Sequence, residues 1–140
     1  MKTAEIKMIN DNLANIRSKK LPIKMSFVLS RNLKKIDEVV KDVQNSMNDL
    51  LQKYGERDEN GEIVVGANGS VRIDNFKDYM DEYDQIMDVD VDIILDKVSM
   101  SDVEKCENDG YDNLTVDEVS ALEFMIMEDP NIMDSIENML

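Results

Sequence analysis

The sequence predicts an α+β fold: one predominantly helical domain with a long helix and a small antiparallel three-stranded sheet. Three observations predict this fold. Apolar residues recur at helical spacing over most of the chain, residues 62–96 show short alternating segments and turn signals, and 140 residues with 42% hydrophobic content suffice for one domain. We therefore expect a single domain over residues 1–140, with a basic helical segment at 1–54 and an acidic α+β segment at 55–140.

The first expected helix covers residues 4–17. Its apolar residues lie three or four positions apart and form one stripe: Ile6, Ile9, Leu13 and Ile16. Thr3 precedes this stripe and is expected to be the N-cap, because its hydroxyl can accept a hydrogen bond from the first turn.

The longest element is expected from about residue 23 to 54. Pro22 suits a first helical turn and Gly55 suits a helix end. Between them, apolar residues at steps of three and four form nearly a heptad seam: Met25, Leu29, Leu33, Ile36, Val40, Val43, Met47, Leu50 and Tyr54. The alternative is a strand at residues 21–29, where apolar residues also alternate. A seam this long must be buried, against the first helix or against another chain.

The sheet is expected at about residues 62–96. Asn60-Gly61 and Asn68-Gly69 are turn signals, and residues 62–65 and 71–73 are short apolar segments that predict a hairpin. Residues 88–96 alternate Asp with Val, Ile and Leu, which is typical of a strand with one acidic face. This segment is expected to be the third strand.

Shorter helices are expected in the rest of the chain. One covers residues 75–87, with Asp74 as a possible N-cap. Capping boxes start two more, Ser101 with Glu104 and Thr115 with Glu118, and the second of these helices continues through Ile126 to about Asp129. Asp129-Pro130 starts a last helix with the apolar residues Ile132, Met133, Ile136, Met139 and Leu140.

The composition excludes several kinds of chemistry. The chain has no His and a single Cys, Cys106, so it cannot form an internal disulfide and lacks the usual zinc ligands. Catalysis by a histidine base, alone or with Ser or Cys, is excluded. Acidic loops that begin at Glu56 or Asp88 lack the final bidentate Glu of an EF-hand. We expect no enzyme activity, no metal site and no cofactor.

Charge is distributed unevenly along the chain. The net charge is −15; residues 1–54 contribute +5 and residues 55–140 contribute −20. Direct binding of nucleic acid is not expected, because it requires Lys and Arg to neutralise phosphates. Pairing between the two segments could neutralise part of the surplus, but most of the carboxylates must face water or a partner.

The candidate partner-binding residues come from the acidic run between Asp74 and Asp96: Asp78, Asp81, Glu82, Asp84, Asp88, Asp90 and Asp92. Carboxylates at regular spacing can imitate the phosphates of nucleic acid, and a basic groove would attract them. The alternative is a solvated face that only confers solubility. A second candidate surface for partner binding has flexible, adaptable side chains: Phe124, Met125, Met127, Met133 and Met139. The alternative is that these side chains fill the core.

Parts of the sequence resemble a family of small proteins of unknown function from tailed phages of Gram-positive bacteria. The resemblance rests on Leu21-Pro22-Ile23-Lys24, the long helix to Lys53-Tyr54-Gly55, and the segments Leu114-Thr115 and 121–126. It implies a phage or prophage origin and a host-cytoplasm setting, and it transfers no site residues. A cytoplasmic protein is also expected because no apolar run could span a membrane and no signal peptide is evident.

Together these observations predict a non-enzymatic protein that binds and occludes a basic, nucleic-acid-binding surface of a host protein. Such a protein would be a nucleic-acid mimic or an inhibitor of host defence, for example an anti-CRISPR protein. The alternative is a phage structural or assembly factor, possibly a homo-oligomer, that associates through the apolar seam of residues 25–54.

Overall fold

The structure is a computed structural model that describes residues 1–127. Its helices are α1 (Thr3–Asn12), α2 (Ile23–Tyr54), α3 (Phe76–Met87), α4 (Met100–Glu104) and α5 (Val116–Ala121). Short 3₁₀ helices follow the last two, at Lys105–Glu107 and Glu123–Met125. The helix expected after Pro130 lies outside the described residues.

The chain divides into two compact units. The first unit contains residues 1–7 and 37–92, and the second unit contains residues 8–36 and 93–140. Helices α1 and α2 therefore contribute residues to both units. All seven candidate partner-binding residues belong to the first unit.

The long helix confirms the expected bounds. Helix α2 covers 32 residues, and the strand considered at residues 21–29 is wrong. Of the seam residues, Met25, Leu29, Ile36, Val43 and Leu50 are buried. A stripe repeated over so many turns specifies a helix, because strand alternation over 21–29 does not continue beyond that segment.

The expected three-stranded sheet is wrong: residues 1–127 form no β-strand or sheet, only isolated bridges between single residue pairs. Within residues 54–74, three short segments, at Glu56, Val64 and Arg72, are joined pairwise by backbone hydrogen bonds. Glu56 N–H donates to Arg72 O (2.8 Å), Arg72 N–H to Val64 O (3.2 Å) and Val64 N–H to Glu56 O (2.8 Å). Each pair of segments is thus joined by a single bridge, which is too little for a ladder.

Residues 88–92 do not join the predicted hairpin. They run beside the amino-terminus, where Val91 N–H donates to Met1 O (2.8 Å) and Thr3 N–H donates to Val89 O (3.0 Å). The Thr3 hydroxyl also donates to Val89 O, so Thr3 is the first residue of α1 and not its N-cap. The alternating pattern predicted an extended backbone, but not that residues 1–3 would be its partner.

The second unit has a buried core that includes Leu13, Ile16, Met25, Leu122 and Met125. The buried amide of Asn32 attaches the segment at Asp96 to α2: its Oδ1 accepts from Asp96 N–H (2.8 Å) and its Nδ2 donates to Asp96 O (3.0 Å). Such reciprocal pairing satisfies a buried polar side chain that would otherwise be costly to bury.

Two of the expected helix starts are displaced, and one is confirmed. Asn75, not Asp74, caps α3, and it accepts a hydrogen bond from Asp78 N–H in a left-handed conformation (φ 51°) that asparagine tolerates. The capping box of α4 joins Ser99 with Asp102 instead of Ser101 with Glu104. The capping box of Thr115 and Glu118 is confirmed, but α5 ends at Ala121, before the expected end.

Candidate functional site

Helix α3 positions four of the candidate carboxylates. At about 100° per residue, its aromatic and methionine residues share one face. Asp81 lies on the opposite side, Asp84 lies on the flank between them, and Asp88 lies just beyond the helix. None of the α3 side chains is fully buried. Asp90 and Asp92 follow in the extended segment.

Exposure divides the candidates into two groups. Six of the seven are exposed: Asp78, Asp81, Asp84, Asp88, Asp90 and Asp92. The seventh, Glu82, is half-buried. The structure thus brings the predicted residues together in one unit, with most of their carboxylates open to solvent.

Lys2 neutralises part of this acidic region. Its ammonium lies 3.2 Å from Asp88 Oδ1 and 3.5 Å from Asp90 Oδ2, and it donates to the Asp88 backbone carbonyl at 3.0 Å. The hydrogen bond to Asp88 raises the pKa of Lys2. Both carboxylates remain more than three-quarters exposed, so this pairing is weak in water.

Glu82 is engaged by Lys53 of α2. The Lys53 ammonium donates to Glu82 Oε1 at 2.8 Å, which lowers the pKa of Glu82. The same ammonium lies 5.1 Å from the centre of the Tyr54 ring. Glu82 therefore helps to hold α3 against the end of α2 and is the candidate least available to a partner.

The other candidates have few internal partners. Asp78 accepts a hydrogen bond from the Asn75 amide at 2.6 Å. Within residues 1–127, no ion pair or hydrogen bond engages the side chains of Asp81, Asp84 or Asp92. These three carboxylates are the most available to a cationic partner.

The charge balance differs between the units. The first unit contains seventeen acidic and seven basic side chains, a net charge of −10, and the second contains fourteen and nine, a net charge of −5. Residues 8–36 supply seven of the second unit's bases, and its ion pairs join them to acids of residues 93–127: Lys19 with Glu118 (2.7 Å), Lys24 with Asp102 (3.0 Å) and Arg31 with Asp96 (2.6 Å). Ion pairs engage acids of both units, and the first unit has the larger surplus of negative charge.

Sequence reasoning missed the aromatic residues beside the acidic ones. Tyr54, Phe76, Tyr79 and Tyr83 form one group of contacting rings. The spacing of the three α3 aromatics was a usable signal, because residues three, four and seven apart share a helix face. This spacing predicts a helix, but by itself it does not indicate a binding site.

A polar cleft of about 750 Å³ lies in the second unit. Its lining includes Asn12, Asn15, Lys19, Thr115, Glu118 and Ser120. Lys19 is already engaged there, because it pairs with Glu118 and donates to Asn113 O at 2.8 Å. The cation of the cleft is thus paired within the chain, while the carboxylate of Asp117 also lines the cleft and is exposed.

The remaining sequence candidates are placed as follows. Met125 is buried in the core, Phe124 is half-buried and Met127 is half-exposed, while Met133 and Met139 lie outside the described residues. Cys106 is buried, and burial raises the pKa of its thiol. Residues 1–127 contain no cluster of three or more Cys, Asp or Glu side chains arranged to hold a metal ion.

No helix in the described part of the chain is both long enough and apolar enough to cross a membrane. Comparisons with known proteins give no support for a family: no family model, curated protein or solved structure matches the chain significantly. The resemblance to phage proteins stays a prediction.

Proposed function

We propose that the first unit binds a basic, nucleic-acid-binding surface of another protein and occludes it. The observation that carries this proposal is the set of exposed carboxylates without internal partners at Asp81, Asp84 and Asp92, in a unit of net charge −10. Lys and Arg that hold phosphates are the natural partners of such groups. The interaction requires no catalysis, metal or cofactor.

The phage setting that the resemblance implies narrows the proposed target. A phage protein in a host cytoplasm encounters nucleic-acid enzymes of host defence, among them CRISPR effectors. Long-range attraction between an acidic unit and a basic groove would accelerate the encounter, and it would weaken as salt is added.

The alternative function, assembly through the seam of residues 25–54, has less support. It needs apolar area on α2 that is free to contact another chain. Met25, Leu29, Ile36, Val43 and Leu50 are instead buried within this chain. An oligomer would have to use other surfaces.

The proposal is tested by affinity capture with charge-reversed variants. The reversed variant carries Asp81→Lys, Asp84→Lys and Asp92→Lys; Asp90 is left unchanged because it pairs with Lys2. The bait is incubated with nuclease-treated lysate of a Gram-positive bacterium. We expect the native chain, and not the reversed variant, to retain a basic nucleic-acid-binding protein that added duplex DNA releases.

The matched control reverses three exposed acids of the second unit, with Glu104→Lys, Glu107→Lys and Asp109→Lys. Both variants change the net charge equally, so a general loss of acidity affects them alike. Capture of the same protein by the native chain and the control alone supports the proposal. Equal capture by the reversed variant, or a complex that DNA does not release, contradicts it.

A further inference from the structure

Three aromatic rings lie in a row along α3. The ring centres of Phe76 and Tyr79 are 6.2 Å apart and those of Tyr79 and Tyr83 are 6.5 Å apart, with interplanar angles of 30° and 32°. Tyr54 meets Tyr79 edge-on at 6.2 Å. The row ends at Phe76, which is 62% exposed. A large aromatic side chain at the start of the acidic helix is therefore open to a partner.

Elsewhere in the described part of the chain, a ring, a cation and a carboxylate come together in two places. In the first unit, Lys53 lies over the Tyr54 ring and pairs with Glu82. In the second unit, the Arg31 guanidinium lies 5.7 Å from the centre of the Phe27 ring, and its Nε lies 2.6 Å from Asp96 Oδ2. A cation is attracted to the negative face of a ring and to the carboxylate at the same time.

Phe76 is an exposed ring with acidic residues close to it in the sequence. Asp74 and Asp78 lie two residues to either side of it, and both are exposed. Among residues 1–127, no Lys or Arg side chain lies over the Phe76 ring. The ring therefore lies exposed in an acidic region and can accept a cation from outside the chain.

We propose that Phe76 takes an arginine side chain of the basic partner, an inference that rests on the proposed function. The guanidinium would stack on the ring while neighbouring carboxylates accept its hydrogen bonds. Arginine fits better than lysine, because its planar guanidinium stacks on aromatic faces, donates in a fork and is more weakly hydrated. Aromatic and arginine side chains also supply much of the binding energy of protein interfaces.

The test uses fluorescent poly-arginine and poly-lysine peptides of equal length, titrated with the full chain at one ionic strength. Forked pairing with carboxylates favours arginine in every variant, so stacking is measured by the part of the arginine preference that depends on Phe76. An exposed cation–ring contact changes affinity by about two- to fivefold, which is the upper limit of the preference that Phe76 can contribute. We expect the native chain to show this preference, Phe76→Leu to lose it, and Phe76→Trp to increase it because Trp binds cations best.

Phe27→Leu is the matched control, because Phe27 is also 62% exposed but its ring already holds Arg31 of the same chain. The inference predicts that this variant keeps the arginine preference. An arginine preference that is unchanged in Phe76→Leu, or that falls equally in Phe27→Leu, overturns the inference.

The proposed function fails in a different way. It is contradicted if neither peptide binds the native chain, or if the variant reversed at Asp81, Asp84 and Asp92 binds both peptides as tightly. If the native chain binds both peptides equally well, only the role of Phe76 is contradicted, and the proposed function is not.

Discussion

Lys24 and Asp102 form an ion pair whose two side chains differ sharply in exposure. The carboxylate is 5% exposed and the ammonium 64% exposed, with 3.0 Å between Nζ and Oδ2. Asp102 also closes the capping box of α4, where its Oδ2 accepts from Ser99 N–H at 3.1 Å. One carboxylate thus joins the start of α4 to α2 within the second unit.

Replacing Asp102 should destabilise the protein. Asp102→Ala removes one half of the capping box and leaves Lys24 without its partner, so we expect the free energy of unfolding to fall by about 1–2 kcal/mol. Urea denaturation measures this change. Asp109→Ala, an exposed acid in the following loop, is the control and should leave the midpoint unchanged; an equal effect of both substitutions would refute the assigned role.

The same carboxylate predicts how stability depends on acid. The hydrogen bond from Lys24, followed by that from Ser99, lowers the pKa of Asp102 from 3.8 to about 2. Because the folded-state pKa is depressed, its contribution is fully present above about pH 4 and is lost as the pH falls towards 2. Thermal unfolding of Lys24→Ala should lose this contribution at a higher pH than the native chain does. Identical acid profiles for the two proteins would contradict the prediction.

The carboxylates of α3 should oppose the stability of the free protein. Asp81 and Asp84 are three residues apart, and Asp84 and Asp88 four apart, so neighbouring like charges repel along one side of the helix. Asp84→Asn should leave thermal stability unchanged or raise it, by about 0.2–0.5 kcal/mol for each repulsion removed. The measurement is thermal unfolding at low salt, with Gln85→Asn as the control for helix propensity. A clear destabilisation by Asp84→Asn alone would show that the carboxylate has a structural role.

Cys106 should react slowly with thiol reagents. Its side chain is buried and burial raises the pKa of the thiol, so little thiolate is present and reagents reach it only when the unit opens. Labelling with a chromogenic disulfide should be slow in buffer and fast in urea. Rapid labelling of the folded protein would place Cys106 at the surface.

Local patterns predicted the helical part of the fold well. The seam of α2 repeats over 32 residues, and Thr115 with Glu118 specifies a cap within four positions, so both are visible in a short stretch of sequence. The sheet failed because pairing depends on distant segments. Residues 88–91 find their partner at residues 1–3, and nothing in the alternation of Asp and Val identifies it.

The candidate site was predictable in composition but not in detail. The acidic run predicted side chains that are mostly exposed, since charged side chains rarely become buried without a partner. It could not identify Lys2, which is 86 residues from Asp88, as the cation that pairs with Asp88 and Asp90. The role proposed for Phe76 depends on ring contacts and exposure, which periodicity alone does not reveal.

Occlusion is tested most directly by whether the protein and DNA exclude each other on a captured partner. The measurement is the apparent affinity of the purified partner for a labelled DNA duplex, with increasing amounts of the native chain or of the variant reversed at Asp81, Asp84 and Asp92. Competition for one surface predicts that the native chain weakens DNA binding in proportion to its concentration, that the reversed variant does not, and that no ternary complex forms. A stable complex containing the protein, its partner and DNA together would contradict the account.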